Sequence, residues 1–380
     1  MPDALTDTTG RAADALTSPS QDTAYQQVET AYTTALRAEV GTAVTVTKKW
    51  PNEDLLWPHS DLDLRIVLDE ALADWVSFND GLARVHRRVL EADPVRRRVL
   101  EHPPGWVFLR SELDRGLVPA AEVATWSSSG GDPAALQAWQ IESGARPWGG
   151  EDERFYRGIL GGRTGGRYRL AADSADNVVT GRERYGVHCV VWHFLAPVLF
   201  AHTALVERRR PAGKSAVLGH HPNPQVRDMY HAATAAHPAV TDPDRLLDQV
   251  TQLVDTLRPI SAGSDQDNGP TRAELVSALG VLRCRIARYG YYLDPPADVA
   301  TGYLIDRESK DLYAATSVLA AAAPMFVGET RRVINRFLDL VPAPPTNRAS
   351  LGAFMQRLRA DPGLVEALSS LALGDPEPSR

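Results

Sequence analysis

Two aspartates, Asp61 and Asp63, sit in "HSDLDLRIVL", alternating with leucines ahead of an aliphatic, β-branched run. On a strand, side chains two apart point the same way. Asp61, Asp63 and Arg65 are therefore expected on one face, and Leu62, Leu64, Ile66 and Leu68 on the other. Carboxylates about 6–7 Å apart at their Cα atoms repel each other, and a divalent cation relieves that repulsion. Magnesium suits such a pair, because it takes one or two carboxylates together with substrate phosphates. A solvated strand face that happens to carry Asp-Leu-Asp is the competing reading.

The surrounding elements must place that strand. "YQQVETAYTTALRAEV" has helical spacing, and "GTAVTVTKKW" reads as a strand. A loop, "PNEDLLWPH", leads into the aspartate strand. "DEALADWVSFNDGLARVHRRVLEAD" is an amphipathic helix, and "GWVFLRSELDRG" reads as a third strand running into a turn. Residues 127–168 are rich in Gly, Ser and Pro and read as loops with short helices, "DERFYRGIL" among them. From about Val187 the chain reads as helical. The expected class is α+β, with a small mixed-sheet catalytic domain over 23–180 and an α-helical domain over 181–372. The ends, 1–22 and 373–380, read as frayed.

A net charge of −7 argues against a surface built to hold nucleic acid. Cys189 and Cys284 make neither a disulfide framework nor a zinc site, which suits a reducing cytoplasm. No secretory signal opens the sequence. "YGVHCVVWHFLAPVLFAHTALV" reads as a buried helix, because three histidines and a proline interrupt a barely sufficient length. His188 and His193 are five apart, off one helical face, and "GHHPNP" is a turn.

"SDLDLRIV" resembles the metal-binding strand of the polymerase-beta-like nucleotidyltransferase superfamily, a Ser followed by Asp-hydrophobic-Asp-hydrophobic on the second strand of a small α/β core. The domain order is similar to that of the aminoglycoside adenylyltransferases, where a helical domain follows the catalytic one. The motif covers residues 60–67 and the layout about 30–240. The resemblance implies that Asp61 and Asp63 bind Mg2+ and a nucleoside triphosphate, with Ser60 beside them. A hydroxyl of a small-molecule acceptor would attack the α-phosphorus, releasing pyrophosphate.

The sequence departs from the family in two places. Gly-Ser is expected at the end of the first strand, but Thr45, Thr47, Lys48 and Lys49 stand there, either as phosphate-neutralising groups or as residues of a strand end. The family's third carboxylate belongs to the next core strand, where the acids are Glu112 and Asp114, each either the general base or part of a solvated turn.

"ERRRPAGKSAV" ends like a Walker A motif but lacks its first glycine and its preceding strand. The resemblance makes Lys214 a nucleotide-phosphate contact at a helix start; a surface lysine is the alternative. Asp173, Asp176, Arg182 and Arg184 are weaker candidates near the domain junction. Usage of Ala, Arg and Asp fits a GC-rich bacterial genome, where acceptors include antibiotics. The alternatives are a toxin-like transferase acting on tRNA or protein, and a catalytically inactive nucleotide-binding member.

Overall fold

The structure is a computed structural model that describes residues 21–41, 44–56, 60–93, 96–130, 132–164, 191–192, 195–234, 243–261, 269–295, 302–341 and 343–371. Expectations for residues 1–20, 373–380, Cys189, His188, His193, Asp173, Asp176, Arg182 and Arg184 lie outside the described residues, whereas Gln21 and Asp22, read as part of the frayed start, open the first helix.

The first part runs α1 (Gln21–Val40), β1 (Val44–Lys49), a 3-10 turn (Asn52–Asp54), β2 (Leu64–Leu68), α2 (Trp75–Ala92), α3 (Arg96–Val99), β3 (Trp106–Leu109), α4 (Arg110–Asp114), α5 (Ala120–Val123) and β4 (Trp126–Gly130). Helices follow: α6 (Pro133–Ala145), α7 (Gly150–Thr164), α8 (Ala196–Glu207), α9 (Lys214–Gly219), α10 (Pro224–Thr234), α11 (Pro243–Ser261), α12 (Arg272–Leu282), α13 (Arg285–Leu293), α14 (Gly302–Ala322), α15 (Gly328–Leu340), α16 (Arg348–Ala360) and α17 (Pro362–Ser369). The class is α+β, and the helix-strand-strand-helix-strand order expected from sequence is present.

The four strands are ordered β3-β2-β1-β4. β1 is antiparallel to β2 and β4, while β2 and β3 run parallel, with Arg65 opposite Trp106 and Leu68 opposite Leu109. All five residues of β2 are buried, so both faces of this strand are covered. The Asp-Leu-Asp segment is not part of the strand; it immediately precedes it. Its backbone is nevertheless pinned on both sides, by Lys49 N–H to the Asp63 carbonyl (2.9 Å) and Leu62 N–H to the Val99 carbonyl (2.7 Å).

α2 follows its pattern: Trp75, Phe78, Leu82, Val85 and Val89 recur at three- and four-residue spacing and are buried. Asp74 caps its start by accepting from Ser77 N–H. α2 packs against α1 on one side and α13 on another. Asn79 sews this contact together, donating to the carbonyls of Trp75 and Arg283 (2.8 and 2.9 Å) and accepting from Ala287 N–H (2.9 Å). Helices from both halves of the chain share one continuous apolar cluster with the sheet.

Two readings of elements are corrected. The third strand ends at Leu109, and the "RSELD" that follows is the short helix α4. The Ser-rich stretch read as a loop contains β4 and, after it, the thirteen-residue helix α6.

Trp50, directly after β1, has φ 77°, a region that bulky side chains rarely occupy and that suits glycine. Its N–H donates to Thr125 O (2.7 Å) and its carbonyl accepts from Ser127 Oγ (2.8 Å). Its ring meets Phe200 edge-on at 5.0 Å. Packing and hydrogen bonds thus hold a strained backbone. Glycine normally weakens a site relative to alanine. Here Trp50→Gly should be at least as stable as Trp50→Ala, by up to about 1 kcal/mol, because it relieves the φ strain. Urea denaturation of the two variants compares them, and a clearly more stable alanine variant would contradict the strain.

Candidate metal centre at the head of β2 and β3

Asp61 and Asp63 stand four and two residues before Arg65. His102 stands four residues before Trp106, the parallel partner of Arg65. The two segments therefore emerge side by side at one end of the sheet. One ligand atom from each of Asp61, Asp63 and His102 lies within 4.8 Å of the others. Two ligands bonded at about 2.0–2.2 Å to one ion are about 4.4 Å apart at most, so a small adjustment of these side chains closes them on a cation. Two carboxylate oxygens and an imidazole nitrogen are a fitting donor set for a divalent ion. Asp61 and Asp63 are half-buried and His102 is buried.

The support around them is dense. Ser60 Oγ accepts from Leu56 N–H (3.0 Å), closing the turn that delivers Asp61. Tyr25 donates to the Ser60 carbonyl (2.8 Å). Burial, and then the charge of Asp61, push the Tyr25 phenol well above its usual range, so it stays protonated for that bond. Arg65, fully buried, stacks on Trp106 at 4.2 Å and reaches Asp63 (3.8 Å) and Glu122 (3.0 Å). Lys49 also reaches Glu122 (3.3 Å). Burial alone would raise the Glu122 carboxyl, but the charges of Lys49 and Arg65, with hydrogen bonds from Trp126 and Arg65, hold it down to about 2.

His102 is fixed through its own backbone. Its Nδ1 lies 3.0 Å from the Pro103 carbonyl, which also accepts from Arg288 Nη1 (3.0 Å). An oxygen with two lone pairs takes both donors. With Nδ1–H so engaged, the ring's lone pair is on Nε2. Arg288 is itself paired with the buried Glu308 of α14.

The other predicted residues do not join this group. Glu112 and Asp114 follow β3 and lie at the far end of the sheet. Glu112 is buried in a bidentate pair with Arg283 (2.7 and 2.8 Å) and accepts from Leu109 N–H. Asp114 accepts from the Trp139 indole (2.8 Å). Their assignment as general base is therefore corrected on position and partners.

Lys48 points back to α1, where it pairs with the buried Glu29 and donates to Asn52. Thr45 and Thr47 are buried within β1, and Thr47 Oγ1 has no hydrogen-bond partner among the described residues.

Lys214 does begin a helix, but the N-terminus of α9 is filled: Asp54 accepts from the N–H groups of Lys214 and, at 2.7 Å, Ser215. A Cβ on Gly213 would fall 2.6 Å from Asp54 Oδ2, so this approach requires glycine. The ammonium of Lys214 sits over the rings of Trp50 (4.7 Å) and Trp192 (5.5 Å). Arg210 is locked to Asp152 (2.6 Å).

His102 is the residue that sequence reasoning missed. Its signal was its place just before the third strand, in "EHPPGW". Comparison with family models, curated proteins and solved structures finds no match to the chain.

Two predictions follow from these pairs. Glu112→Gln leaves Arg283 buried without a counter-charge and should cost about 3–5 kcal/mol of stability, read by denaturant unfolding; an equally stable variant would contradict the structural role. Glu122 has a depressed pKa, so its stabilisation is present above about pH 4.5 and is lost as pH falls toward 2. The stability gap between wild type and Glu122→Gln should narrow by roughly 2 kcal/mol between pH 6 and pH 3. A gap independent of pH would contradict the burial of an ionised Glu122.

Proposed function

We propose that the chain is a metal-dependent nucleotidyltransferase, moving a nucleoside monophosphate from a nucleoside triphosphate to a hydroxyl of a small molecule. The observation that carries this reading is the convergence of Asp61 and Asp63, ahead of β2, with a third donor ahead of the parallel β3. The α1-β1-β2-α2-β3 order supports it, because it is the order that the Ser-Asp-Leu-Asp resemblance implies.

A divalent ion held by these residues, Mg2+ in the reading from sequence, would supply positive charge where the α-phosphoryl oxygens accumulate negative charge. The chain's own part is positioning and proton handling. The bond from the acceptor oxygen to the α-phosphorus forms as the bond to the leaving pyrophosphate oxygen breaks. Asp63, whose side chain is 29% exposed, would take the acceptor hydroxyl's proton on the carboxylate oxygen that is not given to the ion. Arg65, held by Glu122 and Trp106, keeps Asp63 in place.

A second reading is favoured by a specific observation. Lys48 and Lys49 are paired with Glu29 and Glu122, and the start of α9 is filled by Asp54. The ammoniums of Lys48 and Lys49 and the backbone N–H groups at the start of α9 are therefore engaged by protein carboxylates, while the Lys214 ammonium lies over Trp50 and Trp192. That suits a member that binds nucleotide or a partner without turnover.

Pyrophosphate release, screened over the four ribonucleoside triphosphates and a library of hydroxylated small molecules, separates the two readings. Turnover should require a divalent ion and fall by at least about 10²-fold in Asp61→Asn and Asp63→Asn, with far-ultraviolet circular dichroism unchanged. Nucleotide binding without turnover in wild type would favour the second reading. Unimpaired turnover in the double variant would remove the site.

A further inference from the structure

Asp61 and Asp63 are hard oxygen donors of the kind magnesium accepts. His102 changes that set. An imidazole nitrogen suits first-row transition dications better than magnesium, whereas carboxylate, water and phosphate oxygens suit magnesium and manganese alike. Manganese is the ion that both kinds of donor serve.

We infer that His102 is the third protein ligand of this centre and that its nitrogen shifts the site's preference from Mg2+ toward Mn2+. The inference deepens the metal site of the proposed function but does not depend on nucleotidyl transfer.

Three features carry it. His102 is buried, so its ring has a fixed environment, and one of its ring nitrogens lies within 4.8 Å of a carboxylate oxygen of each aspartate. Its Nδ1 is directed at the Pro103 carbonyl. Histidines that bind metals commonly donate their second ring N–H in this way, which fixes the tautomer and leaves Nε2 as the ligand. Finally, Arg288, itself paired with Glu308 of the next helix, donates to that carbonyl from almost two hundred residues downstream. Arg288 is thus a positioning residue for the ring.

The test uses the full chain, stripped of metal with a chelator. Mn2+ is titrated by the electron paramagnetic resonance signal of the free ion, and Mg2+ by its competition for the bound Mn2+. Wild type should bind Mn2+ at least about tenfold more tightly than Mg2+. Pulsed measurements on protein labelled with 15N only in histidine should show hyperfine coupling between bound Mn2+ and a nitrogen nucleus. Both His102→Asn and His102→Gln should abolish that coupling and cost about tenfold or more in Mn2+ affinity, since even outer-shell changes cost 10–100-fold. Their Mg2+ affinity should change less. A merely structural histidine would produce no nitrogen coupling.

Bound Mn2+ without nitrogen coupling in wild type, or coupling that survives in either folded variant, overturns the inference and leaves nucleotidyl transfer standing. Failure of wild type to bind any divalent ion overturns it together with the metal centre itself.

Discussion

Residues that precede two parallel strands emerge at the same end of a sheet, and β2 and β3 are parallel with Arg65 opposite Trp106. That register decides which side chains Asp61 and Asp63 can meet. It brings His102 to them and sends Glu112 and Asp114 to the opposite end. Had β3 run antiparallel, the residues after it would have met the aspartates, and the expected acids would have been at hand. A short strand makes the constraint tight, since β3 spans only Trp106–Leu109 and offers little room for a shift of register that keeps its apolar residues buried.

The register is held by charges that the apolar core surrounds. Glu122 joins Lys49 on β1 to Arg65 on β2, and Glu112 joins the end of β3 to Arg283 between α12 and α13. Buried pairs of this kind add little net stability over apolar replacements, but removing one partner is costly because the other charge is stranded. They therefore specify an arrangement more than they strengthen it. The helices do more than cover the sheet. Arg283 fixes the far end of β3, and Arg288 fixes the loop that carries His102 at the near end. A second latch acts on the loop between β1 and β2, where Asp54 caps α9 and its carbonyl accepts from the Trp192 indole (2.9 Å).

Much of this was legible in the sequence where a strong local pattern met a single environment. α2 is amphipathic and capped, β2 is β-branched and aliphatic, and Asp-Leu-Asp beside Ser60 marks the segment that brings two carboxylates to one end of the sheet. β4 was hidden because "WSSSG" has the composition of a loop, and only pairing with β1 makes it a strand. Glu112 is misplaced and His102 is missed for one reason: the direction of β3 relative to β2 is a long-range property that no local spacing carries. The sequence leaves open what Lys48 and Lys49 do because Glu29 and Glu122 are 19 and 73 residues away from their partners, beyond any local pattern. Trp50 shows the reverse case, in which a glycine-like backbone is occupied by the bulkiest side chain and the sequence offers no sign of it.

The account stands on a divalent ion lying between Asp61, Asp63 and His102. The most direct measurement is a crystal structure of the full chain grown with MnCl2, with anomalous data collected on both sides of the manganese absorption edge. The account predicts one strong anomalous peak bonded at about 2.0–2.3 Å to oxygens of Asp61 and Asp63 and to a ring nitrogen of His102. A peak elsewhere, with these three side chains apart, would contradict it.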